Sequence, residues 1–217
     1  MWSSQRDDVK APTGEKFEDT NEHTLLMPDL IYVVTFEGPF GFIKPWTAVR
    51  DELTYSQQFL TPSTIEGMRQ KLGVSAILRH RLAHQGFSRQ GETTQSAGIK
   101  TKTVKSRNEI TYKRPTAVLD RGVMLNPRLH LAFPTYGDAE RAHGQHLCLS
   151  RNEDVIMPDG PIQELSVSAF DDLTGFELRF GREEDAFMVG YNRYEEGAPM
   201  FGTLTITGDP VSQDSVR

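Results

Sequence analysis

Three observations in the sequence predict an α+β fold. The run LIYVVTFEG, which is followed by Pro39, is apolar and β-branched and indicates a buried strand. A segment between Thr61 and Gly73 carries helix signals at both of its ends. The last third of the chain alternates strand-like segments with acidic turns and has no good helix pattern, so it predicts an antiparallel β-sheet.

The first helix is marked by its caps. Pro62 fits the first turn behind Thr61, and Ser63 with Glu66 has the spacing of a capping box. Gly73 supplies the stop. The loop before the helix is too aromatic for a passive linker. Its aromatic side chains suit base stacking, with core packing as the alternative: Phe40, Phe42 and Trp46.

A basic hairpin is predicted at about residues 96–115. A strand after the first helix carries Arg79, His80, Arg81 and His84. In the segment that follows, IKTKTVK alternates apolar residues or Thr with Lys, SRNE forms a turn, and ITYKRPTAVL returns. The next run, TAVLDRGVMLNPRLHLAF, is strand-like and is expected to close the first sheet.

The chain is expected to divide into four regions. Residues 1–27 are polar without periodicity and predict a flexible leader. Residues 28–134 form the first domain, with the hairpin. Residues 135–209 form a small antiparallel β domain, and 210–217 form a tail. The alternative is one continuous β-rich domain without a separable C-terminal part.

Composition excludes several classes of protein. With 217 residues, 37% of them hydrophobic, the chain can bury one good core or two small ones. No apolar run approaches the roughly 20 residues that span a bilayer, and the N-terminus lacks the apolar core of a signal peptide. Cys148 is the only cysteine, so no intramolecular disulfide forms. We therefore expect a cytoplasmic protein without membrane contact, cofactor or metal.

The charges of the chain are segregated. The net charge is −6, but the block from Arg69 to Arg128 holds 13 Lys and Arg against 3 Asp and Glu, a net +10. The rest of the chain holds 11 Lys and Arg against 27 Asp and Glu, a net −16. A solvated charged face is the alternative, but a basic block of this size favours binding of a polyanion.

The ordered motifs of the N-terminal part resemble the start of the Cas-five family of CRISPR-associated subunits. They are a strand ending in Gly38-Pro39, a loop with Lys44-Pro45, and LTYSQQFLTPSTIEGM from Leu53. The type I-C members are the most similar, because they place a Tyr shortly before Thr-Pro-Ser-Ala-x-x-Gly. Here these positions are Tyr55 and Thr61–Gly67.

The resemblance weakens further along the chain. Gly144-Gln145 and Cys148 match a Lys-Gly-Gln…Leu-Gly-Cys-Arg-Glu segment of the type I-C proteins. Thr64 and Ile65 replace a small-residue pair, and an Arg-Arg-Asn-Glu signature survives only as Ser-Arg-Asn-Glu. These departures leave other type I and type IV systems open.

The resemblance implies a ferredoxin-like, RRM-type domain at residues 28–134. It also implies an RNA-binding subunit of a Cascade-like complex, which caps the 5′ handle of the CRISPR RNA and contacts neighbouring backbone and large subunits. The charge block independently supports RNA or another polyanion. The candidate RNA-binding residues are Lys44, Arg50, Ser63, Arg69, Arg79, His80, Arg81, Lys100, Lys102, Lys105, Arg107, Lys113 and Arg114.

An alternative function is metal-independent processing of the precursor RNA. The resemblance places Tyr55 in such a site, where a phenol assists attack by the RNA 2′-OH. The alternative for Tyr55 is packing under its loop, since no Lys or His partner is assigned. His80 and His84 lack a third ligand for a metal. A β-rich binding module unrelated to CRISPR is the remaining alternative.

Overall fold

The computed structural model describes residues 29–47, 53–94, 98–104, 109–113 and 115–212. Its helices are α1 (Pro62–Leu72), α2 (Tyr136–His143) and α3 (Val167–Asp171). Its strands are β1 (Leu30–Glu37), β2 (Phe40–Gly41), β3 (Leu53–Tyr55), β4 (Arg79–Ala83), β5 (Phe87–Thr94), β6 (Lys100–Val104), β7 (Glu109–Lys113), β8 (Ala117–Leu125), β9 (Arg128–Phe133), β10 (Leu147–Cys148), β11 (Val155–Ser166), β12 (Gly175–Phe180), β13 (Phe187–Asn192) and β14 (Ala198–Thr207). The predicted α+β class, with mostly antiparallel strands and few helices, is confirmed.

Eight strands form the main sheet, in the order β10-β11-β1-β9-β4-β12-β14-β13. Every pair is antiparallel, and β1 lies between β11 and β9. β12 joins the sheet beside β4, where Phe176 pairs with Leu82. The strands of residues 135–209 therefore extend the sheet of residues 28–134, and the described residues contain no separate C-terminal sheet.

Two β-α-β units lie at the centre of this sheet. They are β1-α1-β4 and β9-α2-β11, and their strands lie in the order β11-β1-β9-β4. Both helices pack on the same face, because the main core joins residues of α1 and α2 to residues of β1 and β9. These residues include Ile65, Met68, Leu72, Ala139, Val34 and Leu131. Burial of such apolar side chains is the dominant favourable term in folding.

The opposite face of the sheet carries a second, smaller core. Phe170 of α3 packs there with Ile31, Val33 and Ala132. Beside this core, the buried Arg79 guanidinium donates to Glu177 at 2.7 and 2.6 Å. Helix α3 and strand β12 are therefore attached to the sheet by both apolar contacts and a buried ion pair.

A second sheet and the hairpin lie beside the main sheet. β8 pairs with β2, β3 and β5, and its pairing with β5 runs from Phe87 to Thr94. β6 pairs antiparallel with β7, which gives a hairpin where the sequence predicts one. Lys100 is opposite Lys113 at one end of the pairing, and Val104 is opposite Glu109 at the other. The tip of the hairpin lies outside the described residues.

The ends of α1 confirm two predictions and correct a third. Thr61 is the N-cap with Pro62 at the first helical position, and Gly73 ends the helix at φ 65°. The predicted capping box of Ser63 and Glu66 does not form, because Thr61 takes the cap. Glu66 instead accepts hydrogen bonds from Arg69 and Gln70, which lower its pKa to about 2.

The segment from residue 136 to residue 151 forms a short helix before a strand. Thr135 caps α2 by accepting from the Asp138 amide, and β10 follows. Among the residues that the structure describes, no helix is both long and apolar enough to cross a membrane.

Candidate functional site

A groove runs along the start of α1. Two cavities of about 490 and 170 Å³ adjoin there, since both are lined by Ser63, Thr64, Ser150 and Tyr191. We call this surface the α1 groove. Its walls come from residues 43–46, from Gln57, from α1 with its N-cap Thr61, from residues 147–150, from residues 189–194 and from Met200.

Backbone hydrogen bonds fix the loop that forms one wall. The Ile43 amide donates to Ser56 Oγ, and the Gln57 amide donates to the Ile43 carbonyl, both at 2.8 Å. The Lys44 amide donates to Ser150 Oγ at 3.4 Å, which joins the loop to the opposite part of the groove. The loop is therefore ordered at its base, close to Lys44.

Two exposed aromatic side chains form one end of the α1 groove. Trp46 and Tyr191 are 47% and 59% exposed, and their rings meet edge to face with centroids 5.8 Å apart. Gly190 lies close to Trp46, because a Cβ there would lie 3.3 Å from Met200 Cε and 3.4 Å from Trp46 Cβ and Cγ. Its φ of +133° also disfavours any other residue. Half-exposed rings of this kind suit stacking on bases.

The other end of the groove presents a guanidinium on an aromatic ring. Arg193 lies 4.9 Å above the Tyr194 ring, and its Nη2 donates to the Tyr194 hydroxyl at 3.0 Å. Gly67 of α1 makes room for this pair, because a Cβ there would lie 2.9 Å from Arg193 Nη2. The Arg193 amide donates to Ser63 Oγ at 3.4 Å, which ties the pair to the helix.

The α1 groove is positively charged. Lys44, Lys71 and Arg193 line it, and none of its lining residues in the described part of the chain is acidic. The first turn of α1 adds the positive end of its helix dipole. Cations and exposed rings on one surface can hold the phosphates and the bases of a single-stranded nucleic acid.

Several predicted RNA-binding residues are exposed or lie outside the described structure. Lys44 and Ser63 line the α1 groove, and Lys113 is exposed on β7. Arg69 already donates within the protein, to Glu66 and to the Val74 carbonyl. Lys100 and Lys102 belong to β6. Outside the described residues lie Arg50, Lys105, Arg107 and Arg114.

The three predicted RNA-binding residues of β4 serve the interior instead. Arg79, His80 and Arg81 are buried. Arg79 bonds Glu177 and Asp171, and Arg81 donates to Thr207 Oγ1 at 2.9 Å. All three side chains therefore bind protein and have no free polar surface for a phosphate, which corrects the prediction for this strand.

His80 is also unavailable as an anion or metal ligand. Its Nε2 accepts from the Leu60 and Leu178 amides at 3.3 Å, and burial lowers its pKa to about 4, so the ring is neutral. His84 Nε2 lies 2.8 Å from the Gln58 amide nitrogen, and its Nδ1 lies 3.0 Å from the Gly86 carbonyl. Within the described ranges, no three His, Cys, Asp or Glu residues are grouped to hold a metal ion.

Tyr55 lies on a different surface from the α1 groove. Its side chain is 54% exposed at the end of β3, covers Gly122, and meets the Phe87 ring edge to face at 5.3 Å. His84 also packs on Phe87, with centroids 4.7 Å apart, but both of its nitrogens are already hydrogen-bonded. His84, which shares the Phe87 ring with Tyr55, is therefore engaged with the protein itself.

Sequence reasoning missed part of the α1 groove. Lys71, Ser150 and the segment Tyr191–Tyr194 are not predicted by it. The missed signal is the sequence YNRY, which places two aromatics around an arginine inside an otherwise acidic region. Of the predicted aromatic residues, Trp46 is exposed in the groove, and Phe42 is buried beside Arg121 and Arg151.

Three segments that carry the family resemblance meet at the α1 groove. They are the loop with Lys44, the motif Thr61–Gly67 and the segment around Cys148. In comparisons with known proteins, the chain matches no protein-family model and no curated sequence. The interpretation of the groove therefore depends on its own geometry and on the motifs that line it.

Proposed function

We propose that this protein is an RNA-binding subunit of the Cas-five family, which binds the 5′ handle of a CRISPR RNA within a Cascade-like complex. The α1 groove is the observation that carries this proposal. It combines three cations with exposed aromatic rings, and it is built in part from the segments that resemble the family. The exposed Lys71 and Lys113 of the basic block support the same class of ligand.

The connectivity of the central strands supports a ferredoxin-like domain. When β2, β3, β5–β8 and β10 are left out, the order of elements to β11 is β1-α1-β4-β9-α2-β11, and the four strands lie as β11-β1-β9-β4 with every neighbour antiparallel. This is the β-α-β-β-α-β arrangement of two interleaved β-α-β units. The face used for RNA here differs from an open sheet face, since α3 and Phe170 cover part of that face.

In this proposal the α1 groove binds a short single strand. Lys44, Lys71 and Arg193 contact phosphates, and Trp46 and Tyr191 stack on bases. Stacking of a base on an aromatic ring is worth roughly 1–3 kcal/mol, and each phosphate contact releases counterions. The hairpin β6–β7 supplies a second contact, through Lys113 and the strand lysines.

The proposal is tested by fluorescence anisotropy with handle RNA over a range of salt concentrations. We expect Lys44→Ala, Lys71→Ala and Arg193→Ala each to weaken binding and to flatten the salt dependence, by a slope of about 0.7 for each phosphate that is no longer neutralised. Arg182→Ala is the matched control, because Arg182 is exposed but stacks on Phe201 outside the groove. Equal affinity of the three groove variants and the wild type would exclude this groove.

A further inference from the structure

Strand β14 extends beyond its outer neighbour in the main sheet. It pairs with β12 from Gly202 to Thr207, but with β13 only from Ala198 to Gly202. Among the residues that the structure describes, no strand pairs with the outer side of residues 203–207. We call this segment the β14 edge.

The outward backbone groups of the β14 edge belong to Leu204 and Ile206. In an antiparallel pair, alternate residues of a strand direct both their amide and their carbonyl group towards the same neighbour. The Gly181 amide donates to the Phe201 carbonyl at 3.3 Å, so the odd-numbered residues of β14 face β12. The even-numbered residues therefore face outwards. Within the described ranges, no backbone hydrogen bond engages these groups of Leu204 or Ile206.

The β14 edge carries none of the usual features that prevent strand pairing. Its sequence, TLTIT, contains no charge and no proline, and its register with β12 has no bulge. Natural edge strands commonly carry such features to block the addition of another strand. Ile206 is also 57% exposed, beside the buried Phe176 of β12. The edge can therefore offer both hydrogen bonds and an apolar contact to an extended segment.

Both ends of the β14 edge are acidic. The loop that leads to β13 holds Glu-Glu-Asp at residues 183–185, and Asp209 follows the other end; all four side chains are exposed. The two exposed arginines of this region are engaged. Arg179 donates to Asp171 at 2.8 Å, and Arg182 lies over an aromatic ring of β14 at 4.5 Å. Carboxylates at both ends attract cations and repel a phosphate chain.

We propose that the β14 edge binds an extended segment of a partner protein, which adds to the main sheet as an antiparallel strand and carries Lys or Arg at both of its ends. Backbone pairing with Leu204 and Ile206 supplies the affinity. Charge complementarity to the four carboxylates selects a basic protein segment over nucleic acid. The antiparallel direction continues the line of β13, which is itself antiparallel to β14.

This surface is separate from the α1 groove. Leu204 lies four residues along β14 from Met200, which lines the groove, a distance of about 13 Å. The inference therefore stands independently of the proposed RNA binding.

The test uses the full-length protein and a model peptide with blocked ends, Lys-Thr-Val-Thr-Val-Thr-Lys, with amide hydrogen exchange as the readout. In the free protein we expect the Leu204 and Ile206 amides to exchange faster than the Thr205 amide, which faces β12. Excess peptide should slow both outward amides, and a peptide with Glu in place of both Lys residues should not. Unchanged exchange with the basic peptide, or equal protection by the two peptides, would overturn the proposal.

Methylated peptides distinguish strand addition from other modes of binding. Val is expected opposite Leu204 and Ile206, because directly paired residues share one face of a sheet and their apolar side chains then meet. Such paired residues exchange hydrogen bonds, so N-methylation of both Val amides should abolish the protection. N-methylation of the first two Thr amides should leave it in place. Equal effects of the two modifications would overturn the proposal.

Two variants and their controls test the edge from the side of the protein. Ile206→Pro removes an outward amide and spares the hydrogen bonds between β14 and β12. The double variant Glu183→Lys/Glu184→Lys reverses the charge at one end. We expect each to weaken the basic peptide by roughly tenfold. The controls are Ile206→Val and Glu164→Lys, since Glu164 is exposed on β11 near the opposite edge of the sheet. An unchanged affinity of the charge-reversed variant overturns the proposal even if Ile206→Pro fails to fold.

A final arm of the experiment distinguishes the kind of partner. The proposal predicts that exchange of the Leu204 and Ile206 amides is independent of protein concentration and is not slowed by oligouridylate. Protection that rises with protein concentration, together with a dimer in sedimentation velocity, would show that the edge pairs with a second copy of the chain. Protection by the RNA would make the edge a nucleic-acid surface. Either result would overturn the proposal.

Discussion

Buried histidines give this protein a specific dependence on pH at the level of single residues. His80 and His130 are both buried, and burial lowers the pKa of each from 6.5 to about 4. The folded form therefore holds fewer protons than the unfolded chain between these values. Stability is full above about pH 6.5 and is lost as the pH falls towards 4.

We expect each of the two histidines to lower the free energy of unfolding by about 2 kcal/mol when the pH falls from 7 to 5. Urea denaturation at the two pH values measures this loss. The double variant His80→Gln/His130→Asn keeps a neutral acceptor near Nε2 of His80 and Nδ1 of His130, the atoms that bond Leu60 and Thr35. It should flatten the pH dependence, and an equally steep loss in the variant would contradict the assignment.

Tyr55 is the residue on which the enzymatic hypothesis depends. Because His84, which shares the Phe87 ring with Tyr55, is already hydrogen-bonded through both nitrogens, we expect the wild-type protein to bind handle RNA in EDTA without cutting it. Tyr55→Phe should then leave the affinity nearly unchanged, since it keeps the contact with Phe87. A single-turnover assay that detects a 2′,3′-cyclic phosphate measures this.

The same assay also detects the opposite outcome, which is cleavage of the RNA by the wild-type protein. If the wild-type protein cuts RNA, general acid–base assistance by Tyr55 is worth roughly 10²–10⁴-fold in rate, and Tyr55→Phe should lose it. Cleavage at equal rates by both proteins would remove Tyr55 from the chemistry. Tyr55→Ala serves as the structural control, because it also removes the packing on Phe87 and Gly122.

At the level of elements, the hairpin β6–β7 is the most basic exposed feature that the sequence predicts. We expect the triple variant Lys100→Ala/Lys102→Ala/Lys113→Ala to bind handle RNA more weakly than the wild type. The slope of its affinity against salt concentration should also be smaller, because each lysine neutralises a phosphate in this proposal. Anisotropy at several salt concentrations measures both effects. Thr101→Ala on β6 is the neutral control, and a triple variant that binds like it would remove the hairpin from the interface.

Local signals predicted the elements of this protein better than they predicted its site. Thr61, Pro62 and Gly73 act within one or two turns of α1, so the helix bounds were readable from neighbouring residues. The prediction for β4 was wrong because the residue that pairs with its charges is distant in the sequence. Its sequence RHRLA suggests a basic exposed strand, but β12 supplies Glu177 from almost a hundred residues away and buries the charges.

The α1 groove shows the same limit of local sequence signals, which do not report contacts between distant parts of the chain. The loop with Lys44 and the motif Thr61–Gly67 were recognised, because their residues lie close together in the sequence. Arg193 and Tyr191 reach the groove only because β13 is placed beside α1 in the folded chain. Neither composition nor periodicity carries this long-range information.

At the scale of the whole molecule, the continuous main sheet predicts that the two expected domains unfold together. β4 pairs with β12, Arg79 bonds Glu177 across this boundary, and breaking such a buried pair costs about 3–5 kcal/mol. We therefore expect one urea transition, with coincident fluorescence and circular dichroism curves.

A variant of the buried ion pair and a control variant test this coupling. Glu177→Gln should shift the whole transition to lower urea, whereas Glu195→Gln in an exposed turn should leave it in place. Two resolved transitions in the wild-type protein, or an effect of Glu177→Gln on only one of them, would indicate independent domains.

The pairing of β4 with β12 also has a consequence for synthesis on the ribosome. When the chain has emerged only as far as α2, the strands β1, β4 and β9 and both helices are available, but β4 has an open edge. Arg79 and Arg81 then have no Glu177 to neutralise them, and their desolvation is uncompensated. Closure of the nascent sheet must therefore wait for β12. Until then the unpaired edge of β4 is exposed to pairing with other chains.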